Sequence, residues 1–161
     1  MKGMWKRKMK KILSLILIVL FVCACGKKEG EYYLTYKDKD IKLASVYDVN
    51  VQGQYNELFE SENCAFGERD ITYMYDDIEV ETYGNNKGEL IIYSIRFTGE
   101  DVKTNENIGL YSSLNDMIKT YGGNYVKNDN EYTYTKGNTD LIFIVQNDMI
   151  ESIEYRLNNL D

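Results

Sequence analysis

The chain has 161 residues, enough for one ordinary domain or two very small ones. All 26 acidic residues lie after Cys25 while six of the 19 basic ones precede it, so the part after Ala24 carries 13 basic against 26 acidic residues, a formal charge of −13. Such a polyanion repels nucleic acid and anionic lipid headgroups, which excludes a nucleic-acid partner and fits a body that stands off the membrane, and the absence of His removes the commonest general base and zinc ligand.

Met1 to Lys11 form a basic segment without acids, followed by an apolar run from Ile12 to Val22. Eleven residues at about 1.5 Å each cover only about half of a 30 Å hydrocarbon core, which suits the h-region of a signal peptide better than a permanent span. The next residues, Val22-Cys23-Ala24-Cys25-Gly26, resemble the lipobox of bacterial lipoproteins. The resemblance implies a lipid on the Cys25 thiol and cleavage between Ala24 and Cys25. It makes residues 1–24 a signal peptide, 25–31 a lipidated Cys with a polar tether, and the outer face of the cell membrane the protein's location. Cys64 is then left without an intrachain partner, either a reactive thiol or a small buried residue beside Phe66.

From Tyr32 onward the chain predicts short strands separated by turn chemistry. Tyr32 to Tyr36 and Ile41 to Leu43 flank Lys37-Asp38-Lys39-Asp40. Ile71 to Tyr75, Ile78 to Tyr83 and Leu90 to Thr98 form one set, and Tyr132 to Thr135, Asp140 to Gln146 and Met149 to Leu157 a second. Tyr73-Met74-Tyr75 aligns with Tyr132-Thr133-Tyr134, and Ser94-Ile95-Arg96-Phe97 with Ser152-Ile153-Glu154-Tyr155. A helix from Ser113 to Tyr121 is predicted by a cap, an apolar stripe at Leu114, Met117, Ile118 and Tyr121, and Gly122 as stop. A weaker helix is predicted over Ser45 to Gln52, where three valines favour a strand instead. The expected fold is α+β: a single domain over 32–161 with a tandem pseudo-repeat, at about 41–98 and 108–157, of a short helix plus a three-stranded antiparallel meander.

Cys64-Ala65-Phe66-Gly67, Glu81-Thr82-Tyr83, Ile92-Tyr93-Ser94-Ile95 and Val102-Lys103-Thr104 resemble a group of uncharacterised lipoproteins from low-GC Gram-positive bacteria. More distantly, the layout is similar to the β-lactamase-inhibitor-protein fold and to small outer-membrane-assembly lipoproteins, which implies a sheet face presented to a protein partner.

Asp77, Glu79 and Glu81 alternate along one strand and share a face. Hard oxygen ligands suit Ca²⁺, but carboxylates about 7 Å apart along a strand do not converge on one ion, so neither a metal site nor a cofactor is expected. Tyr73, Tyr75, Tyr132 and Tyr134 are the candidate binding surface, since Tyr serves interfaces as readily as it covers a small sheet. No nucleophile elbow, P-loop or Cys-x-x-Cys occurs, so no catalytic residue is assigned. The expectation is a membrane-anchored, non-enzymatic module that binds a protein or another envelope component. The alternative is a Ca²⁺- or carboxylate-dependent cell-surface enzyme.

Overall fold

The structure, a computed structural model, describes residues 30–62 and 69–160. The export segment, Cys25 and Cys64 lie outside the described residues. The chain opens with β1 (Tyr33–Tyr36) and β2 (Lys39–Lys42), a hairpin closed by Lys37-Asp38, both with positive φ, the type I′ geometry that matches strand twist. A single helical turn, α1 (Val49–Gln52), follows. Then come β3 (Glu57–Glu62), β4 (Arg69–Met74), β5 (Ile78–Gly84) and β6 (Leu90–Phe97). The second helix, α2 (Leu114–Tyr121), leads into β7 (Val126–Asn128), β8 (Glu131–Lys136), β9 (Thr139–Gln146) and β10 (Met149–Leu157).

This architecture corrects the α+β expectation. Among the described residues strand accounts for 52% and helix for only 10%, and eight strands share one antiparallel sheet in the order β3-β4-β5-β6-β10-β9-β8-β7. The helix-plus-three-strand unit does not exist. Each half is a four-stranded meander, and the halves fuse edge to edge where β6 pairs with β10. The expected first helix is cut to its last four residues. Before them Ala44 N–H donates to Ile92 O and Tyr47 N–H to Leu90 O, each 2.8 Å, and Val46 bridges Ile91, which ties this stretch to β6 instead of coiling it. Only after Asp48, whose carboxylate accepts from Asn50 N–H at 2.8 Å, does one turn form. The α2 helix has the expected start: Ser113 Oγ accepts from Asp116 N–H at 3.1 Å and donates to Asp116 Oδ2 at 2.7 Å.

One face of the sheet carries the core. Ile71 and Tyr73 on β4, Tyr75 just after it, Ile78 and Val80 on β5, and Ile95 and Phe97 on β6 meet Leu141, Phe143, Ile153 and Tyr155 from the other half. Over them lie Leu34, Tyr36, Ile41 and Leu43 of the hairpin and β2's continuation, Val102 and Ile108 of the 98–113 connection, and Met117 of α2. All these covering elements sit on the same side of the sheet. Among the described residues, the other side has no second layer.

Candidate functional site

Strand alternation sends every second residue to the uncovered face. The register lines up Met74, Glu79, Arg96, Glu154, Ile142 and Thr133 straight across six strands. A parallel row holds Phe59, Thr72, Glu81, Ser94, Arg156 and Asp140. Arg96 is the hub. Its Nη1 lies 3.4 Å from Glu79 Oε2 and its Nη2 3.3 Å from Glu81 Oε1, so one guanidinium spans two successive same-face carboxylates on the neighbouring strand. Across the β6–β10 seam, Ser94 Oγ donates to Glu154 Oε1 at 3.1 Å, and Arg156 Nη1 lies 3.9 Å from the same oxygen. The three glutamates keep only 17–19% of their side-chain surface although none of the described elements packs above them. They lie down along the sheet, held by the arginines.

Tyr93, at the irregularity where β6 slips one residue against β5, joins this array. Its pKa is raised well above the ordinary phenol value, first by burial and then by the nearby Glu81 carboxylate. Its ring centroid stands 6.1 Å from that of Tyr83. On the β5 side the face carries Glu79 and Glu81, and on the β9 side it carries Asp140, the buried Ile142 and the half-buried Ile144.

The expected carboxylate row is thus divided. Glu79 and Glu81 share the single positive charge of Arg96, while Asp77 sits in the turn before β5, its carbonyl accepting from Thr98 N–H at 2.8 Å and Gly99 N–H at 3.1 Å. Among the described residues, no group of three or more His, Cys, Asp or Glu is placed to hold a metal ion.

The four candidate tyrosines are not a surface. Tyr73, Tyr75, Tyr132 and Tyr134 are 3–7% exposed and face the covered side. Tyr73 stacks on Tyr47 with centroids 3.7 Å apart and planes 7° from parallel, and Tyr75 Oη is 2.9 Å from Tyr47 Oη. In the other half, Tyr125 packs on Tyr132 and Tyr134 at 5.0 and 5.6 Å, and Tyr134 Oη donates to Gly122 O at 2.8 Å. Burial pushes the Tyr134 phenol up to about 12. These rings close the core at each flank of the sheet, and the binding-surface expectation for them is corrected accordingly.

The sequence did not single out Tyr93, Ser94, Arg96, Glu154 or Arg156. Their signal was present in the aligned pair Ser-Ile-Arg-Phe and Ser-Ile-Glu-Tyr, whose polar positions alternate with core positions. That Arg96 and Glu154 become direct neighbours needed the β6–β10 pairing, which no local pattern encodes. No protein family, characterised protein or solved structure was found to match the chain.

Proposed function

We propose that this protein is a lipid-anchored, extracytoplasmic binding module that engages a protein partner through the uncovered face of its eight-stranded sheet and performs no chemistry of its own. The observation that carries this reading is the fixed array of Arg96, Glu79, Glu81, Glu154 and Arg156 on a face with no covering layer. Arginine and tyrosine are enriched at protein interfaces, and charges of both signs held in place give a partner of complementary charge its register. A catalytic carboxylate pair would instead need two acids facing a common cleft with unequal environments. Glu79 and Glu81 share one guanidinium on an open strand face. The lipobox around Cys25 supports the anchor, and the acidic body supports an extracytoplasmic location clear of nucleic acid.

Replacing Cys25 with Ala is expected to abolish lipid labelling and leave an uncleaved precursor, whereas replacing Cys23 changes neither. For the face, envelope extracts are passed over the wild-type chain and over Arg96→Glu. The reading predicts a partner retained by the first and lost by the second at unchanged fold. Equal retention by both would refute the assignment of the face.

A further inference from the structure

The two ends of the sheet differ in charge. One end gathers the β5–β6 turn, the β8–β9 turn, the start of β1 and the end of β2. Its described charged residues include Lys42, Lys87 and Lys136 against Glu31, Glu89 and Asp140, an even balance. The opposite end gathers the β4–β5, β7–β8 and β9–β10 turns and the segment after β6. It carries Asp76, Asp77, Glu100, Asp101, Asp129 and Asp148, with Lys37 and Lys103 among them. The strong negative charge of the body is therefore concentrated away from the first end.

The chain also enters at that first end. Tyr32 N–H donates to Thr139 Oγ1 at 2.8 Å, which ties the entry point to the β8–β9 turn. Lys136 Nζ lies 4.6 Å from the Tyr32 ring centroid and Lys42 Nζ 5.9 Å from that of Tyr33. Glu31, Tyr32, Tyr33 and Lys42 line a shallow cleft of about 240 Å³. Tyrosine and lysine together are the side chains that settle at a headgroup layer, the ring at the boundary and the ammonium reaching phosphate. Six residues separate Tyr32 from Cys25, so even fully extended the entry point stays within roughly 25 Å of the lipidated residue. That is about the length of one eight-residue strand of the sheet.

We infer that this end, through Tyr32, Tyr33, Lys42 and Lys136, is seated on the anionic phospholipid headgroups of the membrane that holds the anchor. The inference rests on the anchor reading of Cys25. Seated this way, the strands stand roughly along the membrane normal, the acidic turns point away from the lipid, and the open sheet face looks sideways along the membrane plane. A partner would be met beside the protein rather than above it.

The test uses the full lipidated chain carrying Cys64→Ser, reconstituted in vesicles of phosphatidylglycerol and phosphatidylethanolamine. A single fluorophore is attached through Asn138→Cys in the β8–β9 turn or through Asn147→Cys in the β9–β10 turn. Nitroxide-headgroup lipid is the quencher. The expected result is quenching several-fold stronger at 138 than at 147, reduced by Lys42→Glu with Lys136→Glu while the chain stays in the vesicle fraction. Equal quenching at the two positions in a chain that takes up palmitate overturns the seating and leaves the anchor intact. A chain that takes up no palmitate and does not float with vesicles overturns both.

Discussion

Met117 of α2 has no accessible surface, whereas Ile118, its neighbour in the same apolar stripe, is only partly buried against the core. Met117→Ala is therefore expected to cost about 2–5 kcal/mol in urea unfolding, and Ile118→Ala clearly less. Lys119→Ala, on the exposed side, is expected to cost under about 0.5 kcal/mol. The tyrosines give a second prediction. Burial raises the phenol pKa of Tyr47, Tyr121 and Tyr155, the last with 1% of its surface exposed. In the unfolded chain these groups ionise near their ordinary value of about 10, so above that pH the unfolded state holds fewer protons than the folded one. Their stabilisation is complete below about pH 10 and is lost as pH rises, at about 1.4 kcal/mol per pH unit for each tyrosine involved. Urea midpoints should fall steeply across that range, and a midpoint unchanged there would show these rings to be solvated. Period-two spacing placed Tyr73 with Tyr75, and Tyr132 with Tyr134, on common faces. Which face is covered is set by cross-strand register, since Tyr73 lies opposite Val80 and Val80 opposite Ile95.

The turns and the long strands were legible because their chemistry is local: Lys37-Asp38, Asp76-Asp77 and Asn147-Asp148 mark reversals, and β10 runs from Met149 to Leu157 as expected. Two edge strands were not. Glu57–Glu62 contains three glutamates and few β-formers, a composition that acts at an edge to deter further pairing rather than to announce a strand. Val126–Asn128 is too short to show a period. The α+β expectation failed here, because counting three strands per unit under a helix left out the fourth strand of each meander. One element-level contact offers a sharp test. A Cβ at Gly99 would lie 2.2 Å from Asp77 Oδ1 and 2.9 Å from both Asp77 Cβ and Cγ, so the β4–β5 turn and the exit of β6 are packed backbone against side chain. Gly99→Ala is expected to destabilise by about 1–3 kcal/mol, the range for overpacking. The same substitution in an Asp77→Gly background should cost less, because all three colliding atoms are gone. An equal cost in both backgrounds, measured as a double-mutant cycle, would place the strain elsewhere.

At the scale of the molecule, core residues from both meanders belong to one cluster that crosses the β6–β10 seam through Ile95 and Tyr155, which are direct partners. Heating should therefore give one calorimetric transition, shifted as a whole by Met117→Ala, and two separable transitions would mean that the halves fold independently. The open face follows from the same arrangement. The hairpin, α2 and the 98–113 connection take one side of the sheet, and the array around Arg96 occupies the other. The most direct test of the proposed role is photo-crosslinking in intact cells, with the reactive side chain placed at Ile144 on the open face or at exposed Asn115 on α2. The account predicts a discrete protein adduct from position 144 that disappears with Arg96→Glu, and none from position 115. An adduct from 115 but not from 144, or one indifferent to Arg96→Glu, would contradict it.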